Sequence, residues 1–100
     1  MNGTIRVEPA KLKTAASQID NEAAEYKRLY EQLYTEVDAM KAAWNDASNV
    51  AFTSKVEGFR DDLENMYKLM TQYSEFLVNA ANNYETTQNE IIDNAKRLID

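Results

Sequence analysis

The side chains here that could do chemistry are carboxylates and phenols: 17 Asp and Glu, six Tyr, and neither Cys nor His. Carboxylates set close together can hold a hard cation, and Glu22 to Glu25 and Asp61-Asp62 are the densest runs. The di-metal sites of helical bundles need a Glu-x-x-His pattern, which cannot be written without His. Thiolate and imidazole chemistry lack their donors, and no glycine-rich loop could cradle a phosphate. Tyr26, Tyr30 and Tyr34 recur every four residues and could offer a stacking surface, but the first two fall on a packing stripe described below. These groups therefore read as solvated helix faces and core. No catalytic residue, metal ligand or cofactor site is expected, and an enzyme is the function class set aside most firmly.

Charge narrows the partners. Eleven basic against 17 acidic residues give a formal net charge of -6, which repels polyphosphate instead of gaining from counterion release. The segment Met1 to Ala10 has neither a basic nor an apolar region of a cleaved leader, and no run of about 18 apolar residues could span a bilayer. A chain of 100 residues without disulfide or zinc buries only a modest core, so association is the stabilising option left.

The elements that carry these residues are long helices, because the only strong breakers are Gly3, Gly58 and Pro9. Residues 1 to 7 read as an extended arm. Pro9 suits a first helical position, where its missing N–H costs nothing. Helix 1 is expected over about 8–43, with Leu12, Ala16, Ile19, Ala23, Tyr26, Tyr30, Leu33, Val37, Met40 and Trp44 as a heptad seam. The polar cluster Asn45-Asp46-Ala47-Ser48-Asn49 interrupts the seam, and residues 44–48 are expected to make the turn. Helix 2 is expected over about 49–84, with Phe52, Val56, Phe59, Leu63, Met66, Met70, Tyr73, Leu77, Ala80 and Tyr84 on its seam, and 85–100 form a C-terminal tail. Gly58 is either a point of close backbone approach or a tolerated surface glycine.

Reversal near Asp46 pairs Met40 with Phe52, Leu33 with Phe59, Tyr26 with Met66, Ile19 with Tyr73 and Leu12 with Ala80 at a constant sum of residue numbers. Between them Ala23 meets Met70 and Ala16 meets Leu77, small against large. The fold class is thus an all-α antiparallel two-helix hairpin in a single domain. Ala15 and Leu29 on helix 1 and Leu69 and Phe76 on helix 2 widen the apolar stripe beyond what one facing helix covers. They are the expected dimer interface, where two hairpins would make a four-helix bundle.

Trp44-Asn45-Asp46-Ala47 at the turn, with Ile5-x-Val7-x-Pro9-x-x-Leu12 at the start, resembles the WXG proteins, the early-secreted-antigen-like substrates of type VII secretion. The likeness covers essentially the whole chain, with Asp46 where the family has the Gly of Trp-x-Gly. Asp can visit the left-handed region or cap the second helix through its carboxylate. Trp44 could plug the end of the bundle, serve recognition, or both. The resemblance implies a turn recognition element at Trp44, Asn45 and Asp46. It also implies a C-terminal export signal of Tyr followed four residues later by an acid, here Tyr84 with Gln88 in the acid's place.

Further implications are export of a folded homodimer or heterodimer by the type VII secretion ATPase, passage from cytoplasm to the extracellular side without a cleaved signal, and no stable membrane insertion. The alternative is a cytoplasmic adaptor or chaperone for a larger type VII-secreted toxin.

Overall fold

The computed structural model describes residues 8–44 and 46–99. The expected arm, with Ile5 and Val7, and the turn residue Asn45 lie outside the described residues. Helix α1 runs Pro9–Ala43, α2 runs Ala47–Gly58 and α3 runs Arg60–Ile99, with no strand among the described residues. Glu8 is extended (φ -114°, ψ 105°), as a residue before proline must be, and its carbonyl accepts from Lys11 and Leu12 at 3.0 and 3.2 Å to start α1. The chain reverses between α1 and α2, and the molecule is a rod of 81 × 26 × 16 Å.

The second half is not one unbroken helix. Phe59 (φ -87°, ψ -9°) separates α2 from α3, its N–H donating to Val56 at 3.1 Å while its carbonyl accepts from Leu63 at 3.0 Å. The step stays right-handed, so α3 continues the course of α2 with a local tightening. A Cβ built on Gly58 meets nothing within 4 Å, which places this glycine at the surface and not at a close approach. The helix also does not end at Tyr84: α3 remains helical to Ile99, so the expected tail is the last part of α3.

The antiparallel arrangement is fixed by bonds that cross between the halves. Ser74 Oγ donates to the Ala16 carbonyl at 3.1 Å, and the Tyr34 hydroxyl donates to the Val56 carbonyl at 2.8 Å. The face that α2 and α3 turn toward α1 differs from the expected one. Val56, Leu63, Met70, Leu77 and Tyr84 are buried or half-buried as expected, but the second column is Thr53, Ser74 and Ala81, all buried, with half-buried Arg60 and Tyr67. Phe52, Phe59, Met66 and Tyr73 are exposed. The physical reason lies in α1, whose buried contributions include Ala16 and Ala23. Small side chains let the backbones approach, and Ser74 satisfies its hydroxyl on α1 itself. Large aromatics would hold the helices apart.

Candidate protein-interaction surface

The displaced aromatics create the surface. Ile19 and Glu22 of α1 and Met66, Leu69, Met70 and Tyr73 of α3 line one groove of about 390 Å³. Ala15 and Leu29 lie seven residues either side of Glu22, and Phe76 lies seven beyond Leu69, so all four expected interface residues share this face. Leu29, Leu69 and Phe76 are exposed, Phe76 by 63%, and Ala15 is half-buried. Tyr73 and Phe76 stack with ring centroids 6.4 Å apart. Phe59, 60% exposed, belongs to this group instead of to the intramolecular seam.

The opposite edge of the rod is charged. Lys13 pairs with Glu85 at 2.8 Å, Lys41 with Glu57 at 3.4 Å, and Arg60 with Asp38 at 3.8 Å, each linking the two halves. The Arg60 guanidinium lies 4.2 Å from the Tyr34 ring centroid, and Lys27 lies 5.5 Å from that of Tyr67. Burial pushes the Tyr34 phenol up, and its hydroxyl donates to the Val56 carbonyl. Tyr34, Thr53 and Ser74 are buried polar residues that a search for large apolar side chains passes over. For Thr53 and Ser74 the signal available was their place at heptad spacing with Arg60, Tyr67 and Ala81.

At the turn, Asp46 is extended (φ -116°, ψ 175°), so it does not use the left-handed conformation. It is the N-cap of α2: one carboxylate oxygen accepts from the Asn49 N–H at 2.9 Å, and the other accepts from the Trp44 indole N–H. The Asn49 N–H, with the indole and the Ser48 N–H helping, holds this carboxyl below the usual Asp range. Trp44 closes α1 by donating its backbone N–H to Met40 at 2.9 Å, yet its side chain is 48% exposed. Within one chain the indole is half-exposed and its polar edge is held by Asp46.

At the far end, Tyr84 is half-buried and accepts at its hydroxyl from the Gln88 amide at 3.1 Å. The structure thus joins Trp44 to Asp46 and Tyr84 to Gln88, but it does not bring the two pairs together. The 35 residues of α1 hold them about 50 Å apart within one chain.

The architecture is an elongated helical hairpin with a capped tryptophan turn, one apolar face and a helical C-terminal extension. The chain belongs to the WXG100 family: the model of that family, proteins of 100 residues with WXG, matches residues 4–89. It is 30% identical over 91 residues to Protein YukE of Bacillus subtilis (strain 168), covering 91% of this chain and 94% of that protein. It is also similar to the solved structure of Geobacillus thermodenitrificans EsxA, crystal form I, with a TM-score of 0.77 and 28% identity over 91% of this chain and 98% of that one. Among the described residues no helix is long and apolar enough to cross a membrane.

Proposed function

We propose that the protein is a non-catalytic type VII secretion substrate, exported as a folded dimer and acting by helix-to-helix association. The observation that carries this reading is the exposed row of Leu29, Met66, Leu69, Tyr73 and Phe76 on one face of a hairpin whose other edge is closed by ion pairs. Finishing the burial of such a side chain is worth roughly 1 kcal/mol, so two chains gain on the order of 10 kcal/mol. That is comparable to the cost of association. The second chain is another copy or a related helical hairpin. Four helices then form the exported unit.

Ala15, Leu29, Leu69 and Phe76 make the interface in this reading. Trp44, Asn45 and Asp46 present the turn to the secretion ATPase or to a partner's tail, and Tyr84 with Gln88 forms the C-terminal signal. An antiparallel partner would bring its own turn near this tail, which a single chain cannot do for itself. The destination is extracellular.

The test is the culture supernatant, with a cytosolic marker to exclude lysis. Export requires that the chain accumulate there, and that Phe76→Asp and loss of the secretion ATPase each hold it in the cells. Confinement of the unaltered chain to cells would support the adaptor reading instead. That reading is favoured by one feature, the amide of Gln88 where an export signal would carry an acid.

A further inference from the structure

Phe52, Phe59, Met66 and Tyr73 form an exposed column at seven-residue steps, and Thr53, Arg60 and Tyr67 run beside it at the same step on the α1 side. A straight α-helix does not keep such columns in line, because each heptad falls about 20° short of whole turns. The chain tightens inside both columns, at Phe59 between α2 and α3. One residue advanced at the tighter helical rate turns about 120° instead of about 100°, which restores what one heptad loses.

What holds the tightening comes from α1. The Val56 carbonyl accepts from the Phe59 N–H at 3.1 Å, a step of three residues, and also from the Tyr34 hydroxyl at 2.8 Å. A side-chain donor on a helical carbonyl draws it away from the four-residue ladder, a recognised cause of local breaks. Nothing crowds the step from outside, since the space around Gly58 is open. Tyr34 itself is 4% exposed, and the Arg60 guanidinium lies over its ring, so its hydroxyl is firmly placed. Arg60 in turn reaches Asp38 of α1 and Glu57 of α2.

We propose that Tyr34, buried on the side away from the apolar surface, is a positioning residue for that surface. Its hydroxyl, by holding the Val56 carbonyl, sets the tightening at Phe59 and with it the rotation of α2 relative to α3. A turn of about 20° moves a side chain at the outer radius of a helix by about 2 Å, which shifts Phe52 out of line with Met66 and Tyr73. The use of this surface in association rests on the function proposed above. The joint itself does not, and it is measurable in a lone chain.

Tyr34→Phe keeps the ring under Arg60 and removes only the hydroxyl. In isotope-labelled full-length protein, once circular dichroism has shown a folded chain, the Cα chemical shift of Phe59 should move to that of continuous α-helix. Amide exchange at Arg60 should slow several-fold as a four-residue bond to Val56 forms. An unchanged shift and exchange at these two residues would overturn the proposal. So would faster exchange throughout α2, which would make Tyr34 an ordinary buried support. Arg60→Gln is the second variant, and it carries the test if Tyr34→Phe does not fold. The hydroxyl remains in it, so the Phe59 shift should stay as in the unaltered chain, and its loss would assign the joint to the Arg60 ion pairs instead. By sedimentation, Tyr34→Phe should raise the dimer Kd several-fold, and an unchanged Kd with a closed joint would overturn the positioning role. A monomeric unaltered chain would instead defeat the association reading, while the shift and exchange would still decide the joint.

Discussion

Trp44 and Asp46 are joined side chain to side chain across the turn, and the same carboxylate caps α2 through the backbone N–H of Asn49 at 2.9 Å. One Asp therefore does two things a glycine at this position cannot. It satisfies an otherwise open N–H at the helix start, and it fixes the indole of a half-exposed tryptophan. The turn obtains its geometry from hydrogen bonding in an extended conformation, with no left-handed residue at Asp46.

Removing the carboxylate should loosen both attachments. Asp46→Ala is expected to lower Tm by a few degrees, and Asp46→Gly by less, because glycine is tolerated at an N-cap far better than alanine. In both, the fluorescence of Trp44, the single Trp, should lose its folded-state wavelength before global unfolding. Thermal melts followed in parallel by circular dichroism and tryptophan emission make the comparison.

The same group sets an acid dependence. Its folded-state pKa is lowered, chiefly by the Asn49 N–H, so its contribution is full above the ordinary Asp value of about 3.9 and fades as pH falls through the lowered value. Asp46→Asn keeps an acceptor but no charge. The stability gap between the two proteins should be widest near pH 7 and narrow steadily toward pH 2 in urea titrations. A gap that widens in acid would have the wrong sign.

Gly58 offers a gain. Space for a methyl group is open and the backbone lies outside the left-handed region, so Gly58→Ala should stabilise the chain by up to about 1 kcal/mol. Chemical denaturation at a fixed protein concentration measures it. A loss would mean that the tightening at Phe59 depends on the glycine.

The reversal at Asp46, the antiparallel direction and the exposed Leu29, Leu69 and Phe76 were legible in the sequence, because polar turn residues and heptad spacing carry that information directly. The division of labour between the two sides of the second half was not. Hydrophobicity assigns Phe52, Phe59, Met66 and Tyr73 to the nearest helix. The chain uses buried Thr53, Ser74 and Ala81 there, since small side chains let the helices approach, as Ser74 does on Ala16, and backbone carbonyls satisfy the hydroxyls. A pattern of large apolar residues reports that a face is buried somewhere, without naming which neighbour buries it. The extent of α3 was read only to Tyr84, because past that point the apolar period loosens to Ile91, Ala95 and Leu98 and no described part of α1 lies alongside it.

The tail makes its own prediction. Gln88 donates to the Tyr84 hydroxyl at 3.1 Å, and Glu at this position would supply the acid at the spacing expected of an export signal. Gln88→Glu is expected to raise the exported fraction several-fold, and Tyr84→Ala to abolish export, in immunoblots of supernatant against cells. Export indifferent to both would remove the tail from the proposed signal.

The two faces of α3 can be separated by neighbouring residues. Leu77 packs against α1, and Leu77→Ala should cost roughly 2–3 kcal/mol of hairpin stability. Phe76→Asp and Phe59→Asp should leave the hairpin helical but prevent association. The central claim, that the greasy side of this rod is shielded by another chain, is tested most directly by the solution mass of the purified protein at micromolar concentration, alone and mixed with the products of adjacent genes. The account predicts a mass of two chains in at least one of these samples and of one chain when Phe76 is Asp. A stable, helical, lone monomer of the unaltered chain in every sample would contradict it.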